Sequence, residues 1–225
     1  MKRLIPVLIG FTCILASGMT AAGDSHHDAS QSPGAMSKIW PATSKGAPEA
    51  LVYDAASAME YFRTLSGEWI NTSAAAANMG EAYEKGQESV YGKEGRPKAG
   101  SGAHVGNTSF RTVAAGSTVE QTYLAGSPYE MALMYHMDGP DKLLLTHFCA
   151  AKNVPVLQFA KTGTPGEIKF DFAGGTNLNP AVDVHAHAAT FKIIDKDSFE
   201  LNGVGYVEGK PVPTHSVYKR KSPTG

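Results

Sequence analysis

Residues Glu130 to Ala150 read EMALMYHMDGPDKLLLTHFCA. Two apolar runs of strand length flank DGPD, whose Gly, Pro and Asp residues are turn formers. The segment therefore predicts a β-hairpin. Its register decides which polar side chains share a face, because side chains alternate along a strand. An even number of loop residues pairs Met137 near Lys142. One face then carries Glu130, Ala132, Met134, His136, Leu143, Leu145, His147 and Cys149. The other carries Met131, Leu133, Tyr135, Leu144, Thr146 and Phe148. An odd loop with a bulge separates His136 from His147 instead.

The same signature continues on both sides of this hairpin. TSFRTV, STVEQTYL, VPVLQFA, EIKFDF, HAATFKII, SFELNGVGYV and PTHSVYKR are short strand-like runs joined by Gly, Pro, Asn and Asp. Glu68–Asn71 and a run near Glu88–Tyr91 add to them. No long helix separates the strands, which excludes a parallel α/β sheet. The expected fold is all-β: a closed antiparallel up-and-down barrel of about eight to ten strands. Ahead of it, Leu51, Ala55, Met59 and Phe62 recur at helical spacing, flanked by Val52 and Leu65. They predict an amphipathic helix from Pro48 to about Ser66, with Gly67 as the stop.

The ends and the insertion read differently. Lys2 and Arg3 precede an apolar run from Leu4 to Leu15, and Thr20-Ala21-Ala22 offers a cleavage site. Residues 1–22 are thus expected to be a signal peptide, and the protein secreted or periplasmic. Nothing later approaches the ~20 apolar residues of a membrane span. Residues 23–47 read as a flexible tether, rich in Ser, Ala, Gly and Pro. The barrel domain is expected over 48–221, with 74–102 an elaborated loop or lid. Lys+Arg 20 against Asp+Glu 21, without a basic cluster, gives no footprint for nucleic acid.

Parity names the candidate site. Ile168, Phe170, Phe172 and Phe191 are expected to face inward. If their strand is unbroken, His185 and His187 share the side of Phe191. His215 shares a face with Val217, although Tyr218 competes for the core. Two histidines two residues apart on a strand lie about 6.5–7 Å apart at Cα. Both can reach one ion; His147 is the natural third ligand, and Cys149 or His136 comes next. Zinc is the first guess for such a set. Cleavage of the leader removes Cys13 and leaves Cys149 without an intramolecular partner. Cys149 beside His147 also has the elements of a nucleophile and base. No nucleophile elbow accompanies them, and a buried structural thiol is the default.

The runs FRTLSGEW, SPYEMALMYHMDGPDKLLLTHFCAA, FDFAGGTNLNP, HAHAATF and PTHSVYKR resemble a family of uncharacterised bacterial lipocalin-like, calycin-type β-barrel proteins. The similarity covers about Ser57 to Arg220. It implies a small closed barrel with an N-terminal helix. It also implies that Tyr135, His136, Thr146, His147, Cys149, His185, His187 and His215 occupy motif positions. Between Ala74 and Gly102 the chain departs from the family, whose members are much shorter there. The resemblance supplies no reaction.

Three functional expectations follow. The first is a non-enzymatic barrel binding a small or lipophilic ligand. His136, His147, Cys149, His185, His187, Phe170, Phe172 and Phe191 would line its interior. The second is a zinc-type hydrolase or isomerase holding its metal on His147, His185 and His187, with Glu130 or His136 as proton carrier. The third is a homodimer seamed by the second apolar face of the hairpin.

Overall fold

The computed structural model describes residues 51–73 and 106–222. The expected leader, tether, 74–102 insertion and Glu88–Tyr91 strand lie outside the described residues. The fold within them is a barrel of ten antiparallel strands. In chain order these are β1 (Gly67–Asn71), β2 (Thr108–Val113), β3 (Thr118–Tyr123), β4 (Met131–Met137) and β5 (Leu143–Phe148). They continue with β6 (Val154–Ala160), β7 (Glu167–Thr176), β8 (His185–Asp195), β9 (Ser198–Val207) and β10 (Lys210–Arg220). Each strand pairs with its sequence neighbour, and β1 closes the barrel against β10. Trp69 sits at the seam, opposite Arg220 on β10 and Thr108 on β2.

One helix precedes the strands, α1 (Ala55–Thr64). It starts later than the apolar stripe suggests because Asp54 and Ser57 form a capping box. The Asp54 carboxylate accepts from Ser57 N at 2.8 Å, and Ser57 Oγ accepts from Asp54 N at 3.0 Å. These bonds satisfy backbone donors that have no partner within a helix. Leu51 and Val52 stay outside it, 44% and 47% exposed. At the other end Gly67 has φ +123, a conformation that L side chains rarely adopt, so the chain leaves the helix cleanly into β1.

α1 plugs one end of the barrel. Its buried side chains include Met59, Tyr61 and Phe62. The Phe62 ring stacks on Tyr135 of β4 at 4.1 Å and meets Phe191 of β8 at 5.1 Å and Phe170 of β7 at 5.8 Å. Phe110, Phe199, Tyr218 and Trp69 complete this aromatic core. Arg220 fastens the plug to the seam. Its guanidinium lies 4.3 Å over the Trp69 ring and donates to the carbonyls of Ser66 and Thr64 at 2.8 and 3.0 Å.

Register follows from the hairpin turn. Asp138 N donates to Lys142 O at 2.7 Å, and Lys142 Nζ pairs with the Asp138 carboxylate at 2.7 Å. The turn is thereby Asp138 to Lys142, an odd loop, and Met137 pairs with Leu143. Tyr135 then lies opposite Leu145, and Leu133 opposite His147. The even-loop expectation is corrected: Met131, Leu133, Tyr135, Leu143, Leu145 and His147 form the inward series.

Candidate functional site

The inner wall changes character along the barrel axis. Near α1 it is wholly aromatic and aliphatic. Further from α1, six neighbouring strands turn a buried polar group inward. These are Ser216 on β10, Asn71 on β1, Thr108 on β2, Gln121 on β3, the Tyr135 hydroxyl on β4 and His147 on β5. Several bond to one another. Tyr135 Oη donates to Gln121 Oε1 at 2.5 Å, Gln121 Nε2 donates to Thr108 Oγ1 at 2.9 Å, and Asn71 Nδ2 donates to Ser216 Oγ at 3.3 Å. Burial holds the Tyr135 phenol well above its ordinary pKa. It therefore stays a neutral donor.

Facing this polar belt, the wall of β8 and β9 is built from small residues. Ala186 pairs with Gly205 and Ala189 with Gly203. Ala186 and Ala189, with Leu133, Tyr123 and Leu201, pack against the core and are only partly buried.

His147 and Cys149 lie at the end of β5 remote from α1. His147 is 9% exposed, and its Nε2 is 3.2 Å from Met131 Sδ. Burial pushes its pKa down to about 4, so the ring is neutral at physiological pH. Cys149 packs against Leu124, Tyr129 and Met131, a smaller core at this end. Burial raises its thiol pKa, against a 3.4 Å contact from Ala151 N. Such a thiol is a poor nucleophile. Cys149 N donates to Asn153 O at 3.0 Å, which continues the β5–β6 pairing and sets Asn153 across from Cys149. The Asn153 side chain donates to Val184 O at 2.8 Å, while its Oδ1 is sealed without a partner.

His185 and His187 do come together, by another route than plain alternation. β8 carries a bulge: Ala186 and Ala188 pair with successive residues of β9, so His187 is the extra residue. His185 Nε2 is 3.0 Å from His187 Nδ1, and His185 Nδ1 is 2.8 Å from Asp183 O. The carbonyl can only accept, so His185 Nδ1 carries a proton. His185 Nε2 and His187 Nδ1 then share a single proton between them. The His187 ring stacks on Phe172 at 4.9 Å and lies tilted against Tyr206 at 4.1 Å. Partial burial, then the neighbouring His185, lower its pKa.

The other expected positions divide. Phe170 and Phe191 face inward as expected, but Phe62 fills the space beside them. Phe172 belongs to the His185–His187 cluster. His136 is corrected to the outer wall, where it lines an open groove with Ser117, Thr118, Met134, Met137, Thr146 and Phe148. Glu130 is exposed and accepts from Gly126 N at 2.6 Å. Tyr218 takes the core at the C-terminus, so His215 turns outward, 3.6 Å from Glu200. The expected zinc set of His147, His185 and His187 is not assembled: among the described residues no group of three His, Cys, Asp or Glu side chains is placed to hold one metal ion. Sequence reasoning missed Asn71, Thr108, Gln121, Asn153 and Ser216. Gln121 had a signal, since it shares parity with Val119.

Fold and site together define a closed, helix-plugged antiparallel β-barrel with a polar belt inside. No protein-family model matches the chain, and no curated protein matches it. Among the described residues no helix is long and apolar enough to cross a membrane.

Proposed function

We propose that the chain is an exported, non-enzymatic binding protein. It holds one small, largely apolar molecule in the half of the barrel interior away from α1. The observation that carries this is the buried polar belt contributed by six adjacent strands. Polar groups in a protein interior cost free energy that an aliphatic filling would avoid. The half near α1 uses such a filling. In the other half the partly buried Ala186, Ala189, Leu133 and Leu201 leave apolar surface accessible, and a barrel of this type accommodates one ligand. The resemblance to lipocalin-like barrels and the leader-like N-terminus support the class and the export.

The test is native mass spectrometry of the purified protein after exposure to an organic extract of cells. A retained species at one per chain is expected, and Ala189→Leu, which fills the inner wall, should abolish retention. Protein that retains nothing, or a variant that retains the same species equally, contradicts the proposal.

A further inference from the structure

We infer that the interior site recognises an uncharged hydrogen-bond donor (an alcohol, phenol or amide N–H) through His147 Nδ1. This rests on the proposed ligand-binding role and names the chemistry of the ligand's polar end.

The geometry comes first. Leu145 pairs with Leu157, and the bond from Cys149 N to Asn153 O extends that register. His147, Cys149 and Asn153 therefore belong to one inward series on the β5–β6 hairpin. His147 lies opposite Pro155, so Asn153 is its diagonal neighbour, roughly 7–8 Å away at Cα.

Both side chains are buried, 9% and 4% exposed, and both have an unused atom. A thioether sulfur only accepts, so the contact to Met131 Sδ assigns the His147 proton to Nε2. Nδ1 is left as a bare acceptor, bonded to none of the described residues. It is also absent from the sealed unpartnered atoms, which are Tyr61 Oη and Asn153 Oδ1, so it retains accessible surface. Asn153 spends its amide donor on Val184 O, and its Oδ1, also without a donor, is sealed from any ligand, so His147 Nδ1 is the acceptor a guest can reach. A buried but accessible acceptor without a donor calls for a donor from outside the chain.

Charge narrows the choice. The inward neighbours of the pair are Met131, Leu133, Leu145, Pro155 and Leu157, together with the neutral thiol of Cys149. Glu130, the adjacent carboxylate in sequence, is exposed and engaged by Gly126 N. A carboxylate ligand would face a bare acceptor, and an ammonium would lose its hydration without a counter-charge. An uncharged hydroxyl or N–H meets neither penalty.

The test uses four probes on the full chain by isothermal titration calorimetry: 1-octanol, its isomer 1-methoxyheptane, octanoate and octylammonium. Octanol and the ether have the same size and differ in the donor. Octanol is expected to bind about tenfold more tightly than the ether and both ions, which is about the net worth of one buried hydrogen bond. His147→Leu should bring octanol and ether to equal affinity while ether binding persists. His147→Phe, run in parallel, covers a failure of the first variant to fold. Nitrogen-15 spectra of wild-type protein should show the His147 Nδ1 resonance moving on addition of octanol. Equal binding of octanol and ether, or tighter binding of either ion, overturns the donor assignment and leaves the interior site standing. Failure of all four to bind overturns the interior site as well.

Discussion

His147 shows how one parity step changes a residue's chemistry. An even loop would have set it beside His136 as half of an imidazole pair. The odd loop sets it beside Leu133 and Met131, in surroundings that keep it neutral. Its folded pKa of about 4 lies below the ordinary 6.5, so between those values the unfolded chain binds more protons than the folded one. Stability should therefore fall as pH drops from 6.5 towards 4, by up to about 3 kcal/mol from this group. Urea denaturation at pH 7, 5.5 and 4 measures that loss, and His147→Leu should flatten it. Tyr135→Phe removes the donor to buried Gln121 Oε1 and should destabilise by about 1–3 kcal/mol in the same assay. The inward direction of Phe170 and Phe191 was legible from parity, because one strand face must reach the core. The unmet acceptors of His147 and Asn153 were not legible, since they depend on partners from β4 and from the segment before β8.

Among the elements, α1 was visible as an apolar stripe, but the stripe overran the helix. The Asp54–Ser57 capping box sets its true start, and a box closed by Ser is a weaker signal than one closed by Glu. Asp54→Ala should destabilise by about 1 kcal/mol. Phe62→Ala should cost about 3–5 kcal/mol, because its ring fills the space between β4, β7 and β8. Thermal melts of the two variants separate a lost cap from a lost plug. The turn between β4 and β5 was readable as a turn, though not in length. Lys142 joins it through its ion pair to Asp138, and that fifth residue reverses the faces. The β8 bulge was equally hidden: nothing in HAHAATF marks His187 as the extra residue, which shows only against β9.

For the whole molecule, strand number, antiparallel order and a closed barrel were legible from turn spacing, and the strands that meet at the seam were not. Closure depends on β1, a strand of five residues, reaching β10 and β2. Arg220 reinforces that seam by stacking on Trp69 and by bonding the carbonyls at the end of α1. Arg220→Ala should therefore raise hydrogen exchange in β1 and in the last turn of α1 together, leaving β4 and β5 protected. The division of the interior was also hidden, since it emerges only when six strands stand side by side. It divides the interior into a packed half beneath the helix and a polar-lined half, where the proposed function places a guest. The most direct test is a crystal structure of the protein with 1-octanol. Density for one molecule inside the barrel, its hydroxyl within hydrogen-bond distance of His147 Nδ1, is the predicted result. An interior filled by side chains, with octanol confined to the outer groove at Phe148 and His136, would contradict it.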